Sequence, residues 1–144
     1  MVQLKEITKQ NFWDCVSLEV ADSQKEFVTT NAVSLAQSKY QPECIPLAVF
    51  DDDTMVGFAM YCVDEDDNEY WIYRMMVDKN HQGKGYGKAA MALLLERIQA
   101  DKTRSKVFLG VHRESEAAVR LYQSVGFAFT GEVFSGESIM RLDY

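Results

Sequence analysis

The chain has 144 residues, 47% of them hydrophobic and 26% charged, and carries a net charge of -7. That length excludes two ordinary domains and predicts one domain over residues 1–144, while the acidity excludes a non-specific nucleic-acid binder, which needs a basic footprint. Three well-separated cysteines, Cys15, Cys44 and Cys62, with no C-x-x-C pair and no His partners at ligand spacing, exclude a disulfide framework and predict no metal.

Val2 to Ile7 alternates apolar and polar residues, as a short strand does. Nothing in "MVQLKEITKQ" resembles a leader, and no apolar run is long enough to span a bilayer, so a cytoplasmic protein without a membrane partner is expected. Thr8 to Val20 reads as a helix, with Phe12, Val16 and Val20 at i, i+4 spacing. Gln24 to Tyr40 reads as a second helix, whose buried stripe is Phe27, Val28, Leu35 and Ala36; Pro42 and Pro46 bound the connection after it. The period then falls to two. "IPLAVF", "DDDT" and "MVGFAMYCV" make a hairpin; after the polar turn "DEDDNE", "YWIYRMMVD" is a third long strand. Lys88 to Ala100 is a helix, "KVFLGV" a strand, and Ser115 to Val125 a helix that Gly126 ends. "FAFTGEVF" and "ESIMRLDY" close the chain as a hairpin around "SG". The predicted order is β-α-α-β-β-β-α-β-α-β-β. It implies an α/β fold with a mixed, twisted, mostly antiparallel sheet and helices on both faces, the strand-helix-strand unit from Tyr70 to Val111 making its parallel pair.

The segment "QGKGYGK", Gln82 to Lys88, places glycines at 83, 85 and 87 between a strand and a helix. The first turn of a helix has unpaired N–H donors and the positive end of the macrodipole. Glycine lets a phosphate come close to that backbone. Lys84 and Lys88 add charge at the mouth. The Rossmann spacing G-x-G-x-x-G does not match, and the Walker loop fails because Ala89 follows Lys88 where a hydroxyl is needed. A dinucleotide and a nucleoside triphosphate are therefore both disfavoured.

"QGKGYG" resembles the Q/R-x-x-G-x-G/A signature of the GNAT superfamily of acetyl-coenzyme A-dependent N-acetyltransferases, on Gln82, Gly85 and Gly87, and "HRESEAAVRLYQSVGF" is similar to that family's strand-helix segment ending in L-Y-x-x-x-G-F. "VGFAMY", "QGKGYGKAAM" and "RLYQSVGFAFTGE" look like bacterial spermine/spermidine acetyltransferases. The resemblance implies that acetyl-coenzyme A is the co-substrate. Its pyrophosphate would lie on the backbone of Gln82, Gly83, Lys84, Gly85, Tyr86, Gly87 and Lys88. Its pantetheine arm would meet Met75, Met76 and Val77, on a strand that bulges and splays from its parallel neighbour. Tyr122 would be the general acid, or a hydrogen-bond donor, at the coenzyme sulfur.

Where relatives place an Asn at the coenzyme arm this chain has Ser115, which equally suits a helix N-cap. Where some relatives have a basic carboxylate it has Tyr73, so the base is left to a water chain ending on Glu19, Glu26 or Glu69. Glu19, Asp22 and Glu26 lie in the region that forms one wall of the family's acceptor groove, and the run Asp64 to Glu69 either draws a small cationic amine or is only a solvated hairpin tip. The implied reaction is direct attack of a polyamine nitrogen on the thioester. Another amine (a protein N-terminus, an aminoglycoside, a small amine) or a coenzyme A-binding module without catalysis stays open. Relatives are commonly dimers, and the aromatic terminal hairpin offers an interface for a homodimer.

Overall fold

The computed structural model describes residues 1–144. Its strands are β1 (Val2–Glu6), β2 (Ile45–Asp51), β3 (Thr54–Val63), β4 (Tyr70–Val77), β5 (Lys106–Val111), β6 (Ala128–Phe134) and β7 (Glu137–Asp143). The helices are α1 (Phe12–Ser17), α2 (Asn31–Tyr40), α3 (Tyr86–Gln99) and α4 (Glu116–Ser124), with a 3-10 turn at Asp22–Gln24. The strands form one seven-stranded sheet in the order β1-β2-β3-β4-β5-β7-β6. Only β4 and β5 run parallel; the other neighbours are antiparallel. The predicted element order and mixed sheet are both observed.

Side chains alternate across the sheet and build a core on each face. One core sets Met91, Leu94 and Ile98 of α3 and Tyr122 of α4 against Ile72, Leu109 and Met140. The other sets Cys15 of α1 and the stretch before α2 against Phe58, Met60, Cys62 and Met76. All three cysteines are free and buried, as a reduced core requires. The last hairpin turns on Ser135 (φ 51°) and Gly136 (φ 81°), the two positive angles of a two-residue type I′ loop. No helix is long and apolar enough to cross a membrane.

The first third departs from the predicted helices. Asn11 is the N-cap of α1, and its side chain and that of Thr8 accept each other's backbone N–H (2.7 and 3.3 Å). Leu18 is already extended, so Val20 reaches the core from a loop. The second helix starts at Asn31 because the hydroxyl of Thr30 caps Val33 N–H (3.3 Å). Phe27 and Val28 therefore precede it, and its buried residues are Asn31 and Ser34. Pro46 does not end a loop. It lies inside β2, beyond the last β1 pair at Leu47, where its missing N–H costs that ladder nothing.

Two irregularities of β4 shape the centre of the molecule. Its register with β3 passes from Met60↔Arg74 to Tyr61↔Ile72, leaving Tyr73 as an extra residue. This bulge lies two residues before Met75, earlier than the resemblance implied. Its pairing with β5 stops at Ile72↔Leu109, so the two strands part from Tyr73 onward.

Candidate active site

The segment after β4 is fixed from below. Asp78 is buried, and its carboxylate accepts from Glu19 N–H (2.9 Å) and Asn80 N–H (3.2 Å). Gln82 donates its side-chain amide to the Val77 carbonyl (3.0 Å) and to Gln24 (2.9 Å), which ties the glycine segment to the end of β4. Gly83 (φ 79°) and Gly85 (φ 82°) adopt left-handed angles, and a Cβ at either would meet no atom within 4 Å. Gly85 is the N-cap of α3, which starts at Tyr86 rather than at the predicted Lys88. The first bond into the helix runs from Ala89 N–H to the Gly85 carbonyl (3.1 Å). No backbone N–H from Gln82 to Lys88 has an acceptor in the chain. Lys84 and Lys88 are exposed and outside every ion pair. Tyr86 is held by its hydroxyl, which donates to Asp51 (2.5 Å). Unpaired amides, open left-handed glycines and two free ammonium groups suit a diphosphate.

Three cavities follow one another from this loop. The first, about 320 Å³, is lined by the glycine segment, by Met75, Met76 and Val77, and by Ser115 and Tyr122. The second, about 290 Å³, shares Met75, Ser115 and Tyr122 with the first. It shares Tyr73, Arg74 and Glu137 with the third, about 640 Å³, whose wall carries Asp64, Asp66, Asp67 and Glu132 beside the stacked rings of Trp71 and Phe108 (centroids 5.0 Å apart). The gap left by the parting of β4 and β5 thus lies between the glycine loop, with its unpaired amides, and an acidic recess.

Tyr122 stands at the junction. Its side chain is buried against Phe127, and its hydroxyl makes no hydrogen bond within the chain. Burial first, and then the negative charge of Glu137, push its pKa up to about 12, so it is a proton-bearing donor at any working pH. Ser115 occupies the N-cap of α4, but its side chain makes no capping bond and faces the first two cavities. Tyr73 lines the second and third cavities and donates to Asp64 (2.6 Å); burial, then that carboxylate, raises its pKa far above the phenol range. Arg74 donates to Ser34 (3.0 Å) and Gln37 (2.9 Å) of α2, and burial lowers its pKa.

The carboxylates expected at the acceptor side sort differently. Glu26 lines the second cavity. Glu19 and Asp22 are engaged by lysines: Lys79 (3.2 Å) and Lys25 (3.5 Å) on Glu19, and Lys25 (3.1 Å) on Asp22. These contacts hold both carboxylates below their usual range, and only Glu26 of the three borders the acceptor side. Glu69 lines none of the three cavities; its Oε2 is buried without a partner and its charge falls on Tyr144. Sequence reasoning missed Glu137 and Arg74. Glu137 stands right after the "SG" turn and so opens β7, which was its one available signal.

The Acetyltransferase (GNAT) family matches residues 9–127. The spermine/spermidine N(1)-acetyltransferase of Bacillus subtilis (strain 168) is 30% identical over 96% of both chains. Among solved structures, spermidine N-acetyltransferase from Vibrio cholerae in complex with CoA and spermine superposes with a TM-score of 0.77 at 16% identity, covering 99% of this chain and 95% of that one. The aminoglycoside acetyltransferase AAC(6')-Ib with coenzyme A and kanamycin gives 0.82 at 19% identity, over 99% and 95%.

Proposed function

The chain belongs to the Acetyltransferase (GNAT) family, and from that premise we propose that it transfers the acetyl group of acetyl-coenzyme A to a primary amine of a polyamine such as spermidine or spermine. The observation that carries the polyamine reading is the acidic recess of Asp64, Asp66, Asp67 and Glu132, which continues the line of cavities past Tyr122. A chain of ammonium groups gains there from several carboxylates at once. The relatives named as spermine/spermidine acetyltransferases support the same choice. An aminoglycoside is also polycationic, and the likeness to AAC(6')-Ib keeps it as the second reading.

In this proposal the amides and lysines from Gln82 to Lys88 hold the pyrophosphate. The pantetheine arm runs along Met75, Met76 and Val77, past Ser115, and uses main-chain groups that β5 leaves unpaired. The thioester then lies in the gap beside Tyr122. Direct attack in a ternary complex fits cavities that meet end to end, with no cysteine among their lining residues. A phenol at about 12 is a far weaker acid than a thiol, whose pKa is about 8.5. Tyr122 therefore stabilises the departing sulfur mainly by donating a hydrogen bond, with complete proton transfer the costlier course.

A thiol-release assay with acetyl-coenzyme A and a panel of amines tests the function. We expect turnover with spermidine or spermine, with kcat/KM rising with pH, because an alkylammonium of pKa about 10.4 must lose a proton before it attacks. Turnover on kanamycin or peptides alone would contradict the polyamine reading. Coenzyme binding without turnover on any amine would contradict catalysis.

A further inference from the structure

No residue of β4 is a carboxylate, so a carboxylate base for the amine would come from another element. Glu137 is the one carboxylate that lines both the bridging cavity beside Tyr122 and the acidic recess. The two-residue turn sets its place: it opens β7 and pairs with Phe134 across the hairpin. A Cβ at Gly110 would come within 3.1 Å of its Oε1 and 3.2 Å of its Cβ, so the glycine of β5 makes room for this side chain over the gap. Its carboxylate has no hydrogen-bond or ion-pair partner within the chain, and its side chain is half-buried.

The competing acids are placed differently. Asp64 accepts from Tyr73 and from Asp66 N–H (2.8 Å), and Asp67 from Trp71 (2.8 Å) and Glu69 N–H (2.9 Å). Glu26 is exposed and lines the bridging cavity alone. The groups that face Glu137 there are Arg74 and Tyr73 from β4, Tyr122 from α4, His112 after β5, and Glu26. Its charge acts on both Tyr122 and Arg74.

Resting on the acetyl-transfer reading, we infer that the Glu137 carboxylate is the base that takes the proton from the acceptor's ammonium group, directly or through one water. The N–H bond breaks and leaves its electron pair on nitrogen, and Glu137 becomes a carboxylic acid. That pair attacks the thioester carbonyl and forms the C–N bond. The tetrahedral adduct then collapses with cleavage of C–S. The sulfur keeps the bonding pair and takes the second proton of the nitrogen, while Tyr122 donates a hydrogen bond to it. Glu137 returns its own proton to solvent before the next turnover.

The test is Glu137→Gln in the full chain, assayed for thiol release with acetyl-coenzyme A and spermidine from pH 6.5 to 10. We expect kcat/KM at pH 7.5 to fall by about 100-fold or more. The deficit should narrow toward pH 10, where more of the amine arrives neutral. Glu137→Asp should recover part of the rate, and acetyl-coenzyme A affinity and thermal midpoint should stay at the wild-type values. A Glu137→Gln enzyme within threefold of wild type at every pH would overturn the assignment. So would a loss that is constant with pH, which marks positioning alone, or a pH-dependent loss found in Glu26→Gln instead. Wild-type protein that releases no thiol with any amine would sink the acetyl-transfer reading, and this assignment with it. Wild-type turnover with an unimpaired variant would sink the base alone.

Discussion

At Tyr122 a single hydroxyl is asked to serve two cavities. The side chain is buried, its hydroxyl has no partner in the chain, and it stays protonated because burial and a nearby negative charge oppose ionisation. Replacing it with phenylalanine keeps the ring packing against Phe127 and removes only the donor. We expect Tyr122→Phe to lower kcat by about 10- to 100-fold, in the range of a lost transition-state hydrogen bond. The dissociation constant for acetyl-coenzyme A, measured by calorimetry, should stay within about twofold. An equal loss in affinity would mean that the hydroxyl serves binding and not the chemical step. Tyr122 was legible from its motif. Glu137 was not, because β7 carries it to the gap from 15 residues further along the chain, and no local pattern announces a contact between a hairpin and a helix.

The strands were legible as elements to within a residue or two, since alternation and turn residues mark them directly. The two early helices were misread for a definite reason. Apolar spacing across Phe27 and Val28 looked helical, but Thr30 caps the helix after them, and the two fully buried residues of α2, Asn31 and Ser34, are polar, with Leu35 packing beside them. Ser34 and Gln37 of α2 hold Arg74, a tertiary contact that periodicity cannot reveal. The bulge at Tyr73 was implied by family likeness alone, and two residues off. Beside the Gln82–Gln24 bond, Asp78 ties the early loop to the stretch before the glycine segment, through Glu19 and Asn80. Asp78→Ala leaves two N–H groups without their acceptor and should cost about 1–3 kcal/mol. Urea unfolding reads that loss as a lower midpoint at unchanged slope, and coenzyme affinity should fall with it because the loop is no longer pinned. An unchanged midpoint would show that the loop is held by other means.

Across the whole molecule the glycine loop and the recess beyond Arg74 carry opposite charges. A net charge of -7 repels a polyanion, so in the proposed reading the coenzyme is met by a local site of unpaired amides and two lysines outside every ion pair. The recess beyond Arg74 offers carboxylates to a polycation. The sheet couples the two ends, because β4 parts from β5 between them and opens the cavities where the thioester and the amine would meet. The central claim is that main-chain groups from Gln82 to Lys88 grip the coenzyme. Amide NMR of the nitrogen-15-labelled chain, titrated with coenzyme A, tests it most directly. The largest amide proton shifts, downfield, are expected on Gly83, Gly85, Tyr86, Gly87 and Lys88, with smaller ones at Met75 to Val77. Saturable binding that leaves those resonances in place and moves a different part of the sheet would contradict it.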